Sequence, residues 1–258
     1  MYLWKYWRES RITFAVGLLL VGLLLWAVLR IHVNRLSSGP GDVSQQNLAQ
    51  LYLVIAAPLT LLLGFLGLRF GSFGVGRDLG EGSGSFLFSR PRTRAFFVWS
   101  DWGYGMTQLL LIVLAANAVL AWAIHRIAPD TAVVLMSRQP ISMLAIFCLH
   151  CTSGLLLAGL IFGLTYFSSV LARRHGVQLA IGVVLVVLTF DIASPMVQHY
   201  WPQIILPNFT LTEFSFTLSP TMPAGFADHL GLSIALRAAL ALAFPIAAQI
   251  LLQQRDID

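Results

Sequence analysis

The chain has 258 residues, 57% of them hydrophobic and 10% charged, with a formal net charge of +5. Soluble domains carry about 25% charged residues, so this composition excludes a chain whose whole surface faces water. The arginines flank apolar runs instead of gathering on one polar domain, which argues against nucleic acid as a partner, and two cysteines do not make a disulfide framework.

In chain order, residues 1–11 (MYLWKYWRESR) mix Tyr2, Trp4, Tyr6 and Trp7 with basic side chains. That mixture suits a short interfacial helix leading into a first span, or a plain aromatic belt at the membrane surface. Residues 12–29 then run without a charge, and a spanning helix needs about 20 apolar residues. Arg30 follows in place of a small-residue cleavage site, so the run is expected to remain as a span. Runs at 48–68, 104–124, 177–197 and 232–252 also qualify. The apolar region 141–172 exceeds one upright span, which predicts a span over 145–172 that is tilted or preceded by an interfacial turn after Pro140.

The expected fold is therefore all-α: a polytopic membrane protein, one domain over 1–258, built as a six-helix transmembrane bundle with an N-terminal interfacial helix. Six crossings put both termini on one side. The N-terminus, the stretch 69–103, the turn after the fourth span and the tail hold eleven of the sixteen basic residues. Arg30, Arg35, Arg126 and Arg138 lie on the opposite face. Basic loops stay inside, so both termini and the 69–103 loop are expected in the cytoplasm of a multi-pass cell-membrane protein. The stretch 198–231 falls outside. It holds four prolines, several aromatics and no basic residue, which predicts re-entrant or short helices packed on the outer bundle before the last span.

Catalytic signatures are absent. The only lysine, Lys5, has no glycine-rich loop before it, so nucleotide hydrolysis by a P-loop is not expected in this chain. No catalytic, metal-binding or cofactor-binding residues are assigned. Cys148 and Cys151 share a helix face, but His150 points elsewhere and a closed zinc site wants four ligands, so they read as small hydrophobes. Asp191 in the fifth span and Arg237 in the sixth fall at nearly equal height, about 21–23 Å from the cytoplasmic ends at 1.5 Å per residue. An intramembrane pair of these two is expected, either as part of a gate or as a pin between adjacent helices.

Between the second and third spans lies GRDLGEGSGSFLFSRPRTR, residues 76–94, with four arginines, two acids and four glycines. Arg77, Asp78 and Glu81 suit the start of a short helix, since acids favour a helix N-terminus. Phe86, Leu87 and Phe88 could anchor in a partner's groove, and Ser89-Arg90-Pro91 would turn the chain back. The alternative is an amphipathic connector resting on lipid headgroups.

This stretch, with Glu81-Gly82-Ser83, Phe86-Leu87-Phe88-Ser89 and Arg90-Pro91, resembles the segment after the second span in membrane subunits of the ABC type-2 exporter family. WKYWRESR resembles that family's amphipathic approach to the first span, and Gly80 and Gly84 depart from its pattern by weakening a continuous helix. The resemblance implies a permease that lacks an ATPase domain of its own. It would pair with a second permease subunit, identical or related, and dock on two copies of a separate ABC ATPase. The 76–94 hairpin would be the cytoplasmic coupling element, with contacts through Arg77, Asp78, Glu81, Phe86, Leu87 and Phe88, and Trp99 and Trp102 would anchor the return to the membrane. The competing reading is a polytopic membrane enzyme or assembly factor, using His150, Asp191, His199 or His229, with no ATPase partner.

Overall fold

The computed structural model of the chain describes residues 2–36, 59, 61–82, 92–127, 133–136, 139–172, 175–188, 196, 199–200 and 226–254. The long elements are α1 (Tyr2–Leu36), α4 (Arg94–Ile127), α5 (Met143–Leu171) and α7 (Phe226–Gln254). Between them stand α2 (Leu61–Gly71), the six-residue α3 (Val75–Gly80), the strands β1 (Val133–Met136) and β2 (Gln139–Ser142), and α6 (His175–Val187). Among the described residues, four helices are long and apolar enough to cross a membrane: Trp4–Ala27, Arg94–Trp122, Cys151–Leu171 and Ile234–Gln254. The protein is a multi-pass helical membrane protein by this measure. α2 and α6 coincide with parts of the expected second and fifth spans.

The first departure from expectation is at the N-terminus. The expected interfacial helix is not a separate element but the first turns of α1. Neither proline nor glycine occurs before Gly17, so nothing breaks the helix. The buried positions Tyr6, Ser10, Gly17, Val21 and Leu25 form one stripe at helical spacing. Trp4, Ile12, Val16, Leu19, Leu23 and Trp26 are exposed, as a lipid-facing surface requires. The second departure is the stretch before α5. In place of a simple turn after Pro140 there is an antiparallel hairpin, with Val133 opposite Ser142 and Met136 opposite Gln139. Pro140 sits in β2 of this two-stranded sheet, where both strands are edges and a missing donor is tolerated.

α5 is the central helix. It packs on α7, α6, α4 and α3, and 78% of its spanning stretch is buried, against 22% for α1 and α7. Nearly every position from Leu157 to Val170 is buried, so its hydrophobicity runs all round and not on one stripe. α2 reaches it through glycine. A Cβ on Gly67 would stand 2.6 Å from the Ala158 carbonyl oxygen, and one on Gly71 2.6 Å from that of Phe162. In lipid, where apolar side chains gain nothing by leaving solvent, such close backbone approach supplies the van der Waals contact that holds helices together. On the other side, Pro245 interrupts the hydrogen bonding of α7, leaving the Ala241 carbonyl without its usual helical donor. That oxygen faces Gly163 of α5.

Side-chain contacts fix the relative directions. Tyr6 meets Phe70 and Tyr104, Asp101 meets Tyr166, and Arg94 meets Leu252. The start of α1, the end of α2, the start of α4, the end of α5 and the end of α7 therefore share one end of the bundle, together with α3.

Candidate functional site: a polar wedge at one end of the bundle

The site is built around α3. α2 ends where Ser72 folds back, its Oγ donating to the Arg69 carbonyl at 2.7 Å. Gly74 then adopts φ 71° and ψ −136°, a conformation essentially confined to glycine. A Cβ there would also lie 2.1 Å from Asp101 Oδ2. This close approach allows Asp101, fully buried on α4, to accept a 2.8 Å hydrogen bond from the Val75 N–H. Gly74 offers no capping side chain, so a carboxylate from another helix satisfies one of the orphan donors at the start of α3. The same oxygen lies 3.4 Å from the Tyr166 hydroxyl of α5. Gly76 is pressed against Ser169 of α5, whose Oγ donates to the Tyr166 carbonyl.

The other face of α3 meets α1. Asp78 is 2% exposed and takes the Lys5 ammonium, which also lies 3.8 Å from Glu9. Tyr6, buried beside Lys5, donates to the Phe70 carbonyl at 3.2 Å and packs edge-on against Tyr104 and Phe73. One turn further, Gln108 of α4 donates to Ser10 at 2.8 Å. α3 is thus fastened to α1 by an ion pair, to α4 by a cap and to α5 by close contact.

Its outer edge is open. Arg77 Nε donates to Glu81 at 2.6 Å, and both side chains are exposed by more than a third. This bond holds the Arg77 guanidinium in its charged form, above its ordinary pKa. Nearby, Arg94 donates to the Leu252 carbonyl at 2.7 Å, where a cation complements the end of α7, and Trp99 donates to Gln249. Trp99 and Trp102 meet edge-on at 5.7 Å.

Of the residues expected to meet a partner, Arg77 and Glu81 lie on this open edge. Asp78 points inward, which sequence position alone does not reveal because its partner Lys5 lies 73 residues away. Phe86, Leu87 and Phe88 lie outside the described residues, as does Asp191. Arg237 is buried at 8% exposure on the stripe of α7 that also carries Ala241, Ala248 and Leu252. Cys148 is exposed and Cys151 half-buried, both as free thiols. Asp101, Tyr166 and Gly74 escaped the sequence reading. The signal available was an acid three residues before the third apolar run, and a glycine-dense stretch at 71, 74 and 76. No family model, no curated protein and no solved structure matches this chain.

Proposed function

We propose that the chain is the membrane-spanning permease subunit of an ATP-driven ABC-type exporter, forming the substrate path with a second permease subunit and driven by a separate ATPase chain. The observation that carries this reading is the fastening of α3. A force applied to its open Arg77–Glu81 edge is passed at once to α1, α4 and α5, because each is joined to it by a different contact. A short helix with one polar edge outward and the rest wedged among long helices is suited to transmitting motion, and it has little room for chemistry of its own. The resemblance of residues 76–94 to the coupling segment of ABC type-2 exporters names the motor. The basic residues clustered at this end support a cytoplasmic orientation for both termini and for α3. In the same reading Asp191 and Arg237 pair within the bundle, and residues 198–231 form the external insert.

Co-purification tests the proposal. Tagged protein isolated from its native membrane should bring down a P-loop ATPase. Exchanging the edge charges (Arg77→Glu with Glu81→Arg), or substituting Phe86→Asp, should abolish that capture while the protein remains monodisperse. A cysteine at Ser85, with Cys148 and Cys151 replaced by serine, should resist a membrane-impermeant thiol reagent until cells are opened. Labelling in intact cells, or full activity in a host deprived of the ATPase, would overturn the proposal in favour of a membrane enzyme or assembly factor.

A further inference from the structure

We infer that the cavity bounded by Arg69, Phe73, Arg77 and Glu81 binds a phosphate oxyanion, supplied by the headgroup of an anionic lipid. The cavity has a volume of about 190 Å³. A single water needs about 10–15 Å³ on this scale, so the space admits a phosphate group with its nearest waters. Among the described residues, two guanidinium groups and one carboxylate line it, an excess of one positive charge. Planar guanidinium forks match phosphate oxygens with paired hydrogen bonds.

Arg69 is the primary contact. Its guanidinium lies 4.7 Å from the centre of the Phe73 ring and 3.5 Å from Ser72 Oγ. Among the described residues no carboxylate stands within ion-pair distance of it. The ring holds the guanidinium plane in place, and a fork with five N–H donors has bonding capacity well beyond one long contact to a hydroxyl. Arg77 is the secondary contact, already engaged through Nε by Glu81. An incoming oxyanion competes with that carboxylate for the same guanidinium.

The lipid source follows from what lies one and two turns along α2. Leu61 and Phe65 are exposed, at 57% and 67%, and with Arg69 they form an i, i+4, i+8 stripe. The stripe runs about 12 Å along the helix from Leu61 to Arg69. An apolar strip of that length ending at a cation has the form of an acyl chain leading to its headgroup. A soluble anion would use only the cation. This site does not depend on the transport reading, since it requires only that α2 face lipid.

The test uses the full-length protein in neutral detergent. It is titrated separately with dihexanoyl phosphatidylglycerol, dihexanoyl phosphatidylcholine and inorganic phosphate, and binding is read by the melting temperature and by native mass spectrometry. Phosphatidylglycerol is expected to bind saturably and phosphatidylcholine weakly. Arg69→Gln should weaken phosphatidylglycerol about tenfold, the loss of one charge-assisted contact. Glu81→Gln should tighten it several-fold by removing the competing carboxylate. Opposite signs from two substitutions lining one cavity distinguish binding from a general loss of structure, and Glu81→Gln touches only an exposed pair. Phe65→Ala should weaken the lipid and leave phosphate unchanged. Equal binding of the two lipids, or unaltered phosphatidylglycerol binding by Arg69→Gln, overturns the site. Saturation by phosphate as tight as by phosphatidylglycerol, with Phe65→Ala silent, overturns the lipid assignment.

Discussion

Replacing Gly74 with alanine tests the joint between α3 and the bundle. Two costs add. The backbone at φ 71°, ψ −136° is essentially closed to residues with a Cβ, at about 1–3 kcal/mol. The new Cβ would also stand 2.1 Å from Asp101 Oδ2, so the carboxylate must withdraw from the Val75 N–H, losing a charge-assisted bond of about 1.5–3 kcal/mol. The sum is about 2.5–6 kcal/mol. Gly82 supplies the comparison. It too has a positive φ of 78°, but a Cβ there meets nothing within 4 Å, so Gly82→Ala should cost only about 1–2 kcal/mol. Reversible unfolding in mixed micelles measures both. In an Asp101→Ala background, Gly74→Ala should lose the part of its cost that comes from displacing the carboxylate, and the double-mutant cycle should report a coupling of at least 1 kcal/mol or so. If Gly74→Ala costs no more than Gly82→Ala, or the two substitutions add to within about 0.5 kcal/mol, the cap from Asp101 to α3 does not exist as described.

Three further outcomes are expected in the same unfolding assay. Lys5→Met withdraws the ammonium from the buried Asp78 carboxylate and should cost about 3 kcal/mol, the lower end of the range for a broken buried pair because Lys5 is partly exposed. Adding Asp78→Asn should recover most of that loss, and a double variant as unstable as Lys5→Met alone would deny the pairing. Gly71→Ala forces a Cβ to within 2.6 Å of the Phe162 carbonyl and should cost about 1–3 kcal/mol, whereas Gly22→Ala, with open space around it, should be neutral or stabilise by up to about 1 kcal/mol. Gln108→Leu removes the hydrogen bond to Ser10 and should cost about 0.6 kcal/mol, the usual worth of a polar contact between helices in a membrane.

Hydropathy carried the large features. The charge-free run at 12–29 and the long apolar region at 141–172 mark helices that the structure contains. The detail of α1 was less legible, because aromatic and basic residues at a membrane surface look alike whether the chain lies flat or continues upright. What decides is Tyr6, whose hydroxyl finds the Phe70 carbonyl 64 residues on. The glycine spacing 64, 67 and 71 was present in the sequence, but a contact between backbones needs the identity of the opposing helix, which periodicity does not give. The candidate site was half legible. Charge drew attention to residues 77–81, whereas Asp101 looked like one more loop acid until α4 was seen to begin at Arg94. The direction in which Asp78 faces is set by a residue in another helix, and no local pattern encodes it.

The enclosure of α5 bears on how the protein is made. α5 leaves the ribosome after α1, α2 and α4 but before α6 and α7, and its Gly163 and Phe167 face Phe244 of the last helix. Throughout synthesis of the final third of the chain, that flank must rest against lipid or an insertion factor. A nascent chain halted before residue 226 would expose a groove shaped for a helix that never arrives, and that groove is a ready mark for membrane quality control.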